Sequence, residues 1–247
     1  MIHGNSFSRG VFRHQLQGRL TEHHRLITFD LPGHGESSDA PDPMRSYSLP
    51  GFADAAVELL GKLGVDEAIV LGMSLGGHIG IEMVPRFAGM RGLMIVGSPP
   101  VSRDNMVQGF KGLPEVRVAG KQDLSAAEID GFVHAIFGAS AEPFMGDAVA
   151  RADGRFRARL FEVAGVDQRS VVESSPVPLA VVNGAADRVV NLDYFDSVAY
   201  AKLWEGTCYR VAGSDHAPFW EAPAEFNPLL ERFLNEVESG RIATRTS

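Results

Sequence analysis

The segment LGMSLGGHIG, residues 71–80, sets Ser74 among four glycines where two hydrophobic patterns meet. Ahead of it, EAIVLGM (67–73) is a short, β-branched apolar run and reads as a buried strand. Behind it, GGHIGIEMVPRF (76–87) carries helical spacing. A G-x-S-x-G pentad at a strand-to-helix turn lifts the serine clear of the backbone at the strand's C-terminal end. Side chains at Gly72 and Gly76 would collide across so tight a turn. A chain built around this junction needs a parallel sheet with helices packed on its faces.

The rest of the chain follows that rhythm. RLITFDL (25–31), RGLMIVGS (91–98), PLAVVNG (178–184) and CYRVAGS (208–214) read as further buried strands. LPGFADAAVELLGKLGV (49–65) and APAEFNPLLERFLNEVES (222–239) read as helices, the latter closing the fold before a tail, GRIATRTS, expected to fray. Between the second and third of these motifs lies a stretch without strands. It contains SAAEIDGFVHAIFG (125–138), where Ser125 and Glu128 form a capping box. The expectation is one α/β domain over residues 1–247, with a helical cap inserted over residues 101–175.

A serine hydroxyl needs a base before it can attack, so a histidine must approach Ser74 in space. His216, in GSDHAPFWEAP, lies between the last strand and the last helix and is the best candidate. His78, one helical turn after Ser74, reads as a packing or capping residue. His23 and His24 read as solvated, and His3 and His34 as turn residues beside glycines. An imidazole acting as base needs a carboxylate to fix its tautomer. Asp187 follows a buried strand in VVNGAADRVVN, where sheet enzymes place catalytic groups. An ion pair with Arg188 or a helix cap would occupy Asp187 otherwise, and Asp193, Asp196 and Asp104 are rival acids. At the N-terminus, MIHGNS is read as presenting the Asn5 backbone N–H to a reacting carbonyl oxygen, with the Leu75 N–H as the second donor.

These motifs, HGN, DLPGHGES, GMSLGG, NGAADRVV and DHAPF, fall in the order of the α/β-hydrolase superfamily, which the chain resembles along essentially its whole length. Within it, DLPGHGESSDAPDPMRSYS, SLGGHIGIEM, MRGLMIVGSPPV, LWEG and HAPFWEAPAEF resemble serine-dependent N-acyl-homoserine lactonases. The resemblance implies an α/β-hydrolase fold, with a mostly parallel sheet flanked by helices and capped by a helical insertion. It implies a triad of Ser74, Asp187 and His216, the acid being a glutamate in the lactonase. It also implies a tryptophan where Met73 stands and a cap tyrosine where Phe132 stands, so the pocket here lacks two polar handles. The fold usually opens with a hairpin and the start of the strand entering the His-Gly turn, so some twenty or more residues are expected ahead of Met1.

The reaction expected is opening of an acylated homoserine lactone through an acyl-enzyme. Met73, Phe132, Phe137 and Phe219 are candidates for the substrate wall. The phenylalanines at 110, 132, 137, 144, 156 and 161 form either an acyl-chain slot or ordinary cap core. The alternatives are a general carboxylesterase, a hydrolase of another lactone or of a C–C bond, and a binding protein that senses a small ligand without turnover. No H-x-H-x-D-H or H-E-x-x-H cluster is present, so neither metal nor cofactor is expected. A net charge of -8, without clustered Lys and Arg, excludes a nucleic-acid partner. No apolar stretch reaches membrane-spanning length and no secretory leader is recognisable. The single cysteine, Cys208, fits a reducing, cytoplasmic setting.

Overall fold

The computed structural model describes residues 1–102, 104–160, 162 and 165–241. Phe161 and the end of the tail expected to fray, 242–247, lie outside the described residues.

Four parallel strands form the sheet in the order β1 (Ala68–Met73), β2 (Met90–Val96), β3 (Leu179–Gly184) and β4 (Leu203–Val211). β3 is buried along its entire length and β2 at all but Arg91, as continuous apolar runs covered on both faces require. Helix α1 (Leu49–Lys62) starts at Ser48, whose hydroxyl accepts the Gly51 N–H. Helix α2 (Leu75–Met83) leaves the end of β1. It stops short of the expected residue 87 because Pro85 has no N–H and its ring would crowd the carbonyl four residues back.

Two expected strands differ from what forms. Residues 25–31 form no strand and join no ladder. Residues at the N-terminus lie between them and β1. The Met1 amine donates to Ile27 O at 2.7 Å, and Ile2 makes an isolated parallel bridge to Gly72. A groove of about 560 Å³ runs alongside, lined by Leu26, Phe29 and the edge of β1. β4 begins five residues before the expected Cys208, because Glu205 and Gly206 both take positive φ. That bulge shifts the register between Leu179 and Val181 and lets Trp204 turn inward, where it is buried.

Between β2 and β3 the chain forms a helical layer: α3 (Ala126–Phe137), α4 (Pro143–Arg151), α5 (Gly154–Arg159) and α6 (Gln168–Ser174). α3 carries the Ser125/Glu128 capping box. The last helix, α7 (Pro223–Glu238), packs Phe233 and Val237 beneath Gly92 of β2. No helix among the described residues is long and apolar enough to cross a membrane.

Candidate active site

Ser74 sits between β1 and α2 with φ 51° and ψ −116°, a conformation that ordinary side-chain-bearing residues avoid. The turn survives because the surrounding backbone is close-packed. A Cβ on Gly76 would lie 2.0 Å from Ile2 O. Ser74 N donates to Val96 O at 2.7 Å, and Ser98 Oγ donates to Ser74 O at 2.8 Å, so β2 holds the elbow from the side.

His216 and Asp187 meet across the ends of β4 and β3. His216 Nδ1 donates to Asp187 Oδ2 at 2.9 Å, and the two residues are 0% and 1% exposed. The other carboxylate oxygen of Asp187 accepts the backbone N–H groups of Val189 and Val190 at 2.8 and 3.1 Å. Burial disfavours charge on both partners, but their mutual attraction and these bonds prevail. Asp187 is held below the usual aspartate value and His216 above the usual histidine value. His216 Nε2 is buried without a partner among the described residues, and Ser74 Oγ makes no hydrogen bond there either. Such links are commonly open before substrate binds. Arg188 pairs with Asp215, not with Asp187. The rival acids are all exposed, and Asp196 is paired with Arg210.

Sequence reasoning missed two supports of this pair. Asn183 Oδ1, from the end of β3, accepts the Gly97 N–H at 2.8 Å. Gly97 has φ +61°, and a Cβ there would fall 2.4 Å from the His216 ring, so only glycine leaves the imidazole its place. On the far side, Glu221 accepts the N–H groups of Asp215 and Ala217 at 2.9 and 3.1 Å and clamps the His216 loop.

Asn5 and Leu75 stand beside Ser74 in the wall of the same cavity. Among the described residues neither backbone N–H has an acceptor, which leaves both free for an incoming oxygen. The Asn5 loop is held by a buried relay. Arg157 Nη1, from α5, donates to Ser6 Oγ at 3.0 Å, and Ser6 Oγ donates to Asn5 Oδ1 at 2.8 Å. Asn5 Nδ2 reaches Ala119 O at 3.2 Å. Arg157 is only 4% exposed, and its other acceptors are Lys121 O and Gln122 O, both at 2.8 Å. No carboxylate is among these three acceptors, so a buried cation is devoted to backbone and hydroxyl oxygens. His3, expected as a turn residue, is fully buried in the same loop. Its Nδ1 bonds Gly4 O at 2.8 Å and its Nε2 accepts the Leu31 N–H at 3.0 Å. Burial lowers its pKa to about 4.

The cavity over Ser74 measures about 230 Å³ and is mainly apolar. Met73, Phe110 and Phe132 line it, with Phe7, Val116, Ile136 and Leu160. Phe137 and Phe219, expected in this wall, do not line it. Phe137 is turned edge-on to Phe7 at 4.9 Å and faces Trp220, while Phe219 packs between Phe12 and Phe226. Both are core residues, because the neighbouring aromatic rings take up their faces. Phe144 and Phe156 likewise pack elsewhere, against Trp220 and His34. His78 and Gln168 do line the cavity, and neither was expected there.

The sequence profile described as alpha/beta hydrolase family matches residues 1–229. Among solved structures, the chain is 46% identical to a mutant of the N-acyl homoserine lactonase AidH complexed with N-hexanoyl homoserine lactone. That likeness spans 96% of this chain and 89% of the other, with a TM-score of 0.94. AidH complexed with N-butanoyl homoserine is 45% identical over 100% of this chain and 89% of its own, also at a TM-score of 0.94. Among curated proteins, a pimeloyl-[acyl-carrier protein] methyl ester esterase of Yersinia pseudotuberculosis serotype O:1b is 28% identical over 256 residues. The match covers 96% of this chain and 92% of that protein.

Proposed function

The chain belongs to the alpha/beta hydrolase family, and from that premise we propose that it opens the lactone ring of N-acyl-homoserine lactones by serine catalysis. The observation that carries the chemistry is the buried His216–Asp187 bond at 2.9 Å, with the opposite imidazole nitrogen unpartnered. The likeness of 46% to a lactonase seen with N-hexanoyl homoserine lactone supports the substrate class.

In this reading His216 removes the Ser74 proton as Oγ attacks the ring carbonyl carbon. The carbonyl oxygen gains charge, and the Asn5 and Leu75 amides donate to it. Each such donor is worth on the order of 3 kcal/mol in the transition state. His216 then returns the proton to the ring oxygen as the carbon–oxygen bond breaks. The new hydroxyl remains tethered to the acyl group, so water activated by His216 must cleave the Ser74 ester before the ring recloses. The product is the N-acyl homoserine and the enzyme is regenerated. Asp187 keeps Nδ1 protonated, so that Nε2 faces the serine as a base.

The test is the mass of the product formed from N-hexanoyl homoserine lactone near neutral pH, after subtraction of spontaneous opening. A product one water heavier with its acyl chain intact is expected. Release of hexanoic acid would mean amide cleavage and overturn the ring-opening reading. An unchanged lactone beside rapid hydrolysis of a simple alkyl ester would identify a general carboxylesterase.

A further inference from the structure

His78 is the least explained polar group in the cavity. It lies four residues after Ser74 on α2, with its N–H on Ser74 O at 3.2 Å. Residues so spaced share one helix face, and helical side chains lean toward the N-terminus, so the imidazole tilts back over the elbow. It lines the same cavity as Ser74. Gln168 at the start of α6 grips it twice. Gln168 Nε2 donates to His78 O at 3.2 Å, and Gln168 Oε1 lies 2.7 Å from His78 Nδ1.

This double contact sets the tautomer. The Gln168 nitrogen is occupied by a carbonyl, so its oxygen must face the ring, and an amide oxygen only accepts. Nδ1 therefore carries the proton and Nε2 keeps a lone pair. Burial, reinforced by the nearby His216, lowers the His78 pKa against the Gln168 bond, which keeps the ring neutral at pH 7. The other polar walls are differently committed. Both ends of the Asn5 side chain are bonded, to Ser6 and Ala119, and the Ser102 hydroxyl can rotate to donate or accept. Nε2 of His78 can only accept, it has no hydrogen-bond partner among the described residues, and the residue lines a mainly apolar cavity.

We propose that His78 Nε2 accepts an N–H borne by the substrate next to its scissile ester, selecting N-acylamino lactones over lactones that lack the amide. Gln168 acts as its positioning residue. The inference rests on the lactonase reading and adds the group that recognises the amide. A buried acceptor left without its donor costs about tenfold in rate.

The experiment compares kcat/KM for ring opening of N-hexanoyl homoserine lactone and α-hexanoyloxy-γ-butyrolactone, in which an ester oxygen replaces the N–H. A second pair, the p-nitrophenyl esters of N-hexanoylglycine and of O-hexanoylglycolic acid, makes the same exchange without a lactone. Wild type should prefer the N–H member by about tenfold. His78→Leu should remove that preference, bringing the two members of each pair to within about twofold of one another. Equal slowing of both members would mark a structural role and overturn the proposal. Absence of any preference in wild type would overturn it even if the variant does not fold. Unopened lactones beside a retained preference among the p-nitrophenyl esters would overturn the lactonase reading and keep the acceptor. No turnover of any of the four would overturn both.

Discussion

Asp187 and His216 are each nearly water-free, so each is tolerable as a charge only through the other. Replacing Asp187 by Asn keeps the shape of the site but removes the force that holds His216 above its usual pKa. The kcat/KM of Asp187→Asn should fall by about 10⁴ with a cooperative thermal transition retained. A loss below tenfold would show that Asp187 is not the acid that orients the base. In wild type the base must be neutral, so activity should rise with pH through an apparent pKa above the ordinary 6.5 of histidine. In Asp187→Asn, burial is the largest influence left on the ring and outweighs the lesser attraction of Asp215 and Glu221, so any remaining activity should titrate below 6.5. A pH profile of kcat/KM for the two proteins checks both statements. The spatial meeting of Asp187 and His216 is legible in the sequence because each follows the C-terminal end of an apolar strand. Gln168, Arg157 and Ser6 are not legible. Their key contacts join residues 90 and 151 positions apart, and nothing local in a glutamine or an arginine announces a distant partner.

One tie between the helical layer and the Asn5 loop runs through α5. Arg157 is a buried cation whose hydrogen bonds, among the described residues, go to oxygens of the Asn5 loop and of residues 121 and 122. Removing it frees Ser6, and with it the Asn5 backbone. Arg157→Met should lower kcat between about 10- and 100-fold, and should weaken a tetrahedral phosphonate inhibitor in proportion, with a smaller change in KM. An unchanged phosphonate affinity beside a lowered thermal midpoint would reduce Arg157 to a packing role. At this scale the sequence predicts β1, β2 and β3 to within two residues at most boundaries, because buried parallel strands are short, continuous apolar runs. It fails where pairing decides the outcome. RLITFDL has the composition of a strand, but a strand needs a neighbour, and this segment meets the N-terminal residues through single bonds, Met1 to Ile27 and His3 to Leu31, without a ladder. The early start of β4 is hidden by its bulge, since Glu205 and Gly206 look like a loop. Phe137 and Phe219 show the same limit from another side: apolar periodicity separates inside from outside, but it does not separate core from cavity wall.

Across the whole molecule, desolvation holds the pKa values of His3, His14, His34 and His78 below that of free histidine, His3 at about 4. Each binds its proton more readily in the unfolded chain. Their share of stability is therefore complete above about pH 6.5 and is lost as pH falls toward the folded-state values. His216 acts in the opposite sense, since its folded pKa is raised, but it is one histidine against four. The thermal midpoint should fall by about 5 °C between pH 7.5 and pH 5. A midpoint that holds or rises over that interval would contradict the burial of neutral histidines. The central claim is that β1 and α2 hold Ser74 as a nucleophile served by His216. Its most direct measurement is the intact mass of the protein after incubation with a fluorophosphonate, followed by peptide mapping. One phosphonyl group per chain is expected, on Ser74, with ester hydrolysis lost in the same proportion and no labelling of Ser74→Ala. Hydrolysis that persists in a fully labelled protein, or in Ser74→Ala, would contradict it.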